Sequence, residues 1–191
     1  IQKKAKLISA HFLLSDGARM VDMGCETGEI TYVLAALNPH AEIIGIDADV
    51  SAIEFAKKTY KLPNLTYKIS DISIPDMPDD SIDAIVNSNI LHCVYSTAGY
   101  TPDEVLTLLE RQSRKLKPGG AMLVRDYIMP PEGEMVLLEL PDVVGRGDDI
   151  LTMSDANLLV LFSQNARPMQ SGCEGFFIEE LGFSPCYLQE I

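Results

Sequence analysis

From Met20 to Leu37 the sequence runs apolar, breaks at Gly24, turns through Cys25-Glu26-Thr27-Gly28, and resumes with Ile30, Val33, Leu34 and Leu37 at helical spacing. A continuous apolar run followed by an i, i+3, i+4, i+7 pattern is not one element but a strand handing over to a helix. Glycine allows the sharp reversal and lets a ligand approach the backbone closely. Asn38-Pro39 stops the helix, because proline lacks the N–H and clashes with the preceding turn. Ala41 to Ile46 is again short and apolar, as expected of a strand covered on both faces, and Asp49 is placed to cap a helix through Tyr60. The product is a βαβ unit, which commits the chain to parallel strands covered by helices.

The rhythm extends in both directions. A helical stretch from Gln2 to Leu14 ends at Ser15-Asp16-Gly17. Leu65 to Ile69 and Ile82 to Val86 read as further strands, separated by a loop carrying Pro75, Asp76, Pro78, Asp79 and Asp80. Thr101-Pro102-Asp103-Glu104 offers an N-cap, a proline at the first helical position and a carboxylate placed to complete a capping box. Val105, Leu108, Leu109 and Leu116 give this helix its apolar face. Lys115 and Lys117 meet its negative end, Pro118-Gly119-Gly120 terminates it, and Ala121 to Val124 reads as a fifth strand. After Met129 the alternation fails in an acidic stretch, whose apolar patches at 135–140 and 156–162 read as docking elements, the second a helix capped by Ser154.

With 191 residues, 47% of them apolar, the chain suits one core rather than two. A net charge of −13 opposes unaided binding to phosphate backbones or anionic membranes, so free nucleic acid is not an expected partner. No apolar run approaches the roughly 20 residues of a membrane span. Cys25, Cys93, Cys173 and Cys186 are too scattered for a zinc pattern or a disulfide framework. A cytoplasmic protein with reduced thiols and no metal is expected. The chain opens with Ile1 rather than Met, so both ends are left open.

The chemistry converges on strand ends. Gly45-Ile46-Asp47, about twenty residues beyond the glycine turn, puts a carboxylate where it can accept hydrogen bonds from both hydroxyls of a ribose. Together with Val21-Asp22-Met23-Gly24-Cys25-Glu26-Thr27-Gly28, this resembles motif I and its successor in class I S-adenosylmethionine-dependent methyltransferases, whose first motif usually reads aspartate, apolar, Gly-x-Gly-x-Gly. Ser70-Asp71-Ile72 is similar to the family's acidic adenine motif. Ile82 to Cys93 is similar to its fourth strand with an apolar-His sequel, and Leu116-Lys117-Pro118-Gly119-Gly120 to the turn before strand five.

The resemblance covers about Met20 to Tyr127 and implies a three-layer, Rossmann-like α/β fold: a mostly parallel, twisted sheet with helices on both faces and an insertion after the fifth strand. The division that follows is a single methyltransferase domain over 1–191: N-terminal helix 1–17, cofactor-binding core 18–128, substrate-side insertion 129–168 and C-terminal part of the core 169–191. The implied cofactor is S-adenosyl-L-methionine. Position by position, Gly24, Glu26 and Gly28 would approach its methionine moiety, Asp47 with Ala48 its ribose, and Asp71 with Ile72 its adenine. Asn87 and Ser88 would line it, Asp22 would orient the turn or bind the amino group indirectly, and Cys25 would pack beneath the turn.

One departure stands out. The family's middle glycine is Glu26 here, a side chain that either bonds the cofactor's amino group, points to solvent or weakens binding. His92 is the candidate base by analogy with the family's strand-four sequel, while Asp126 and Tyr127 would face the acceptor and Arg125 would bind an anionic substrate or pair with a carboxylate. Methyl transfer from a sulfonium is an in-line displacement, so alignment matters more than a base.

The acceptor is expected to be a small molecule. Arg125-Asp126-Tyr127 is similar to a segment of methyltransferases that make 3-methylcytidine in tRNA, which keeps open a tRNA-directed enzyme needing a basic partner. A non-catalytic, methyltransferase-like binding subunit is the other alternative, suggested by Glu26. A nicotinamide-dependent oxidoreductase would share the glycine turn and Asp47, but would leave Asp71 and the Leu-Lys-Pro-Gly-Gly run unexplained.

Overall fold

The computed structural model describes residues 1–99, 101–126, 135–139, 153–154, 157–158, 161, 177–180 and 186–190. It divides into two compact units, 1–127 and 128–191.

The first unit is built on five parallel strands, β1 (Arg19–Met23), β2 (Glu42–Asp47), β3 (Leu65–Ile69), β4 (Ile82–Ser88) and β5 (Leu116–Arg125), in the order β3-β2-β1-β4-β5. The order reverses between β1 and β4, and it is outside the carboxyl ends of strands at such a point that open α/β sheets bind ligands. Alternation along the strands separates two faces. Met20, Ile43, Ala84 and Val86 pack on one of them with Ala5 and Ile8 of α1 (Gln2–Ser9) and Leu34 and Ala35 of α2 (Glu29–Leu37). Val21, Met23, Ile44, Ile46, Ile82 and Ile85 share the other face with Met77. Here α5 (Pro102–Ser113) brings the buried Gln112 against Asn87 of β4. The helix α3 (Val50–Thr59) starts where expected, with Asp49 accepting from the N–H groups of Ser51 and Ala52.

Several local expectations are corrected. The N-terminal helix expected over Gln2 to Leu14 ends at Ser9, where the chain tightens into turns with His11 N–H donating to the Ile8 carbonyl and Phe12 N–H to that of Ser9. Leu116 and Lys117 belong to β5, not to the preceding helix, which ends at Ser113. Pro118-Gly119-Gly120 is therefore not a helix terminator but a bulge within β5: Ile82 pairs with Leu116 and Ala84 with Ala121, so four residues of β5 oppose a single residue of β4. Lys117 consequently reaches Asp83, at 2.7 Å, and Lys115 reaches Asp79, at 2.6 Å, instead of meeting a helix end. Finally, Thr101 precedes α5 but makes no side-chain cap; its hydroxyl donates back to the Ala98 carbonyl at 3.2 Å.

The second unit contains an antiparallel sheet of β6 (Met135–Glu139), β7 (Phe177–Glu180) and β8 (Cys186–Glu190) in the order β6-β8-β7. Met135 pairs with Glu190, so a strand from the stretch read as an insertion joins one from the stretch read as C-terminal core. Ser154 accepts from the Asn157 N–H through its hydroxyl, as expected of a cap. Most of 129–168 lies outside the described residues, as does Tyr127. Among the described residues no helix is long and apolar enough to cross a membrane.

Candidate active site

The glycine turn leaves β1 with Gly24 at φ 72° and Gly28 at φ 83°, conformations that disfavour ordinary side chains. Their surroundings leave no room for one. A Cβ on Gly24 would lie 2.6 Å from the Ile90 side chain, and one on Gly28 would lie 2.7 Å from the Tyr67 ring, whose hydroxyl donates to the Gly28 carbonyl. Both glycines thus serve close packing of the turn on neighbouring elements. Glu26, between them, is exposed and also has a positive φ of 51°. It occupies a left-handed conformation that costs a non-glycine residue roughly 1 kcal/mol.

What Glu26 contributes structurally is its backbone. Its N–H donates to Asp47 Oδ2 at 2.8 Å, while the Asp49 N–H donates to Asp47 Oδ1 at 2.9 Å. The two bonds hold the carboxylate at the end of β2 and leave further lone pairs on both oxygens for hydroxyl donors. Ala48 sits exposed beside it. The loop after β3 presents Asp71, exposed, with Oδ1 accepting from the Ser73 N–H at 2.7 Å.

Beneath the turn lies Asp22, only 3% exposed, accepting from the Thr31 hydroxyl of α2 at 2.7 Å. Burial pushes its carboxyl up to about 6, against the opposing effects of the Thr31 bond and Lys4. Lys4 itself was not singled out in the sequence. Burial and then the Arg125 guanidinium push its ammonium down, while Asp22, Asp126 and Glu26 pull it up, so α1 delivers a cation to the strand ends. Cys25 is buried against Ile53, Ala56 and Tyr67. Burial, followed by Asp22 and Asp47, drives its thiol far up, which suits packing and not nucleophilic attack.

At the end of β4, Asn87 is fully buried and Ser88 is 9% exposed; among the described residues, Asn87 Oδ1 and Ser88 Oγ have no hydrogen-bond partner. Buried polar atoms without a protein partner are rare, and such atoms are suited to bonding a water or a ligand. Asn89, also at positive φ, accepts from Arg125 Nη1 at 2.8 Å.

Asp126 and His92 come together as a pair. Asp126 Oδ2 accepts from the N–H groups of Ile90, Leu91 and His92 at 2.9, 2.7 and 3.3 Å, capping α4 (Leu91–Thr97) from across the sheet. Its Oδ1 lies 2.7 Å from His92 Nδ1. A carboxylate can only accept, so neutral His92 carries its proton on Nδ1 and its lone pair on Nε2. Cys93 Sγ stands 3.3 Å from that Nε2.

Asp22, Gly24, Cys25, Glu26, Gly28, Asp47, Ala48, Asp71, Ile72, Asn87, Ser88, His92 and Asp126 thus lie at the carboxyl ends of the five parallel strands and in the segments that follow them. This is the layout of a nucleoside-binding crevice. The chemistry of the residues present fits the expected cofactor: a carboxylate oriented by two N–H groups at Asp47, an exposed carboxylate at Asp71, and buried oxygens of Asn87 and Ser88 that have no partner among the described residues.

Residues 14–156 match the family described as a methyltransferase domain. The chain is 30% identical over 118 residues to the tRNA N(3)-cytidine methyltransferase METTL2 of Mus musculus, covering 57% of this chain and 28% of that protein. It is 29% identical over 161 residues to the trans-aconitate 2-methyltransferase of Variovorax paradoxus, covering 79% of this chain and 57% of that one. A solved Haloferax volcanii complex of the Trm112 methyltransferase activator with a methyltransferase is similar at 26% identity, TM-score 0.51, over 63% of this chain and 50% of that one. The chain thus spans less than two thirds of the length of these relatives. The family match over most of the chain, on a five-stranded sheet with this strand order, makes it a member of the class I S-adenosylmethionine-dependent methyltransferases.

Proposed function

We propose that this chain binds S-adenosylmethionine at the strand ends and transfers its methyl group to a small-molecule acceptor. The observation that carries the reading is Asp47, a carboxylate fixed by two backbone N–H groups beside the glycine turn. When bound, the cofactor supplies a methyl group already activated by its sulfonium. The chain's own residues then bind and align. Asp47 accepts from the ribose hydroxyls and Asp71 from the adenine amine, while Asn87 and Ser88 line the cofactor at the end of β4.

His92 accepts the acceptor's proton at Nε2 during displacement, and Asp126 is the residue that positions its ring and stabilises the imidazolium formed. Glu26 points to solvent, and its backbone rather than its carboxylate serves the cofactor site.

The net charge of −13 and the similarity to a trans-aconitate methyltransferase support a small acceptor. The similarity to METTL2 supports a second reading, a tRNA acceptor delivered with a basic partner. Incubation with methyl-labelled S-adenosylmethionine and either a pool of small carboxylic acids, amines and phenols or total tRNA separates them. Label in the small molecules supports the proposal; label in tRNA alone overturns it.

A further inference from the structure

Gln112 occupies the position on α5 one turn after Leu108 where the apolar stripe calls for an aliphatic residue, and it is fully buried. A buried amide in an apolar stripe costs stability unless its groups are bonded. Here both ends are bonded, each to a different element. Gln112 Oε1 accepts from Asn87 Nδ2 of β4 at 2.7 Å, and Gln112 Nε2 donates to the Ile72 carbonyl, in the loop after β3, at 3.1 Å.

The Ile72 carbonyl belongs to the same planar peptide as the Ser73 N–H, and that N–H holds Asp71 Oδ1 at 2.7 Å. Fixing one end of a rigid peptide fixes the direction of the other. The connection therefore runs from Asn87 through Gln112 and one peptide plane to the Asp71 carboxylate. Among the described residues, Asp71 Oδ2 accepts no hydrogen bond, so it is the oxygen left for a ligand.

We propose that Gln112 is a positioning residue for base recognition, one that aims the Asp71 carboxylate at a 6-amino purine and so excludes a 6-oxo purine. This rests on the reading that Asp71 receives the adenine amine. A carboxylate accepts from an amine and repels a carbonyl oxygen, so discrimination depends on where the carboxylate is held. An apolar residue of the same length at 112 would fill the space but release the Ile72–Ser73 peptide.

The test is calorimetric titration of S-adenosylhomocysteine and S-inosylhomocysteine, its 6-oxo analogue, into wild type, Gln112→Met, Gln112→Leu and Asp71→Asn, with folding checked by circular dichroism. Wild type should prefer the 6-amino ligand by at least about tenfold, the worth of one hydrogen bond to a charged group. Gln112→Met should lower that preference about tenfold, raising the KM for S-adenosylmethionine with kcat retained; Gln112→Leu serves if the methionine variant does not fold. A folded Gln112 variant that keeps the wild-type preference, while Asp71→Asn loses it, overturns the role of Gln112 and leaves the Asp71 reading standing. Equal affinity of wild type for both ligands overturns the Asp71 reading, and the proposal with it.

Discussion

Replacing Asp22 by Asn should stabilise the protein at neutral pH. Asp22 is buried beneath the glycine turn, and its carboxyl is raised from the ordinary 3.8 to about 6, first by burial. A pKa raised on folding means that the folded state binds the proton more tightly than the unfolded chain. The stability linked to that proton is fully present below the unfolded value and is lost as pH rises through the folded one. The window is therefore 3.8 to about 6. At about 1.4 kcal/mol per unit, the ionised group costs roughly 3 kcal/mol above pH 6.

Asparagine keeps the acceptor for the Thr31 hydroxyl and removes the charge. Urea denaturation from pH 4 to 8 should show Asp22→Asn more stable than wild type by about 3 kcal/mol at pH 7.5, with the gap closing towards pH 4. Taking the difference between the two proteins cancels the titration of every carboxylate they share. The gain in stability should come with weaker cofactor binding, because the substitution removes negative potential at the methionine end of the site. A gap that is absent at pH 7.5, or that does not shrink with acid, would refute the argument.

Asp126→Ala should destabilise by about 2 kcal/mol in urea denaturation, since three backbone donors at the start of α4 lose their acceptor. Asp126→Asn should keep more of that stability yet depress kcat, because the amide no longer enforces the Nδ1–H form of His92. Glu26→Gly should leave cofactor affinity within about twofold and stability unchanged or up to about 1 kcal/mol higher, as the left-handed conformation suits glycine. A large loss of affinity in that variant, measured by calorimetry, would return Glu26's carboxylate to the binding site.

The parts of this fold legible in the sequence are those whose causes are local. The strand-turn-helix at Met20 to Leu37, the Asp49 cap and the strand at Leu65–Ile69 each depend on residues that are neighbours in the chain, and they stand where spacing places them. What periodicity missed has distant causes. The helix α4 has no side-chain cap of its own, since Asp126 supplies it from 35 residues away in the case of Leu91. The Leu-Lys-Pro-Gly-Gly run reads as a stop because glycine and proline usually are one, but pairing with β4 recruits both sides of it into a single strand.

The site divides in the same way. Glycine turn, Asp47 and Asp71 were visible as motif residues. Gln112 and Lys4 were not, for a polar residue on an apolar stripe and a lysine on an amphipathic helix carry no signal until tertiary structure supplies their partners. Glu26 shows the opposite case: a conspicuous departure in sequence that the backbone absorbs by adopting the conformation a glycine would take.

The most direct measurement is calorimetric titration of S-adenosylmethionine and NAD into wild type and Asp47→Ala. S-adenosylmethionine should bind wild type while NAD does not, and Asp47→Ala should weaken that binding by about 1–3 kcal/mol, on the order of 5- to 150-fold, through loss of the charged ribose acceptor. Binding of NAD in preference, or equal S-adenosylmethionine affinity in a folded Asp47→Ala variant, would contradict the assignment of the strand ends as the cofactor site.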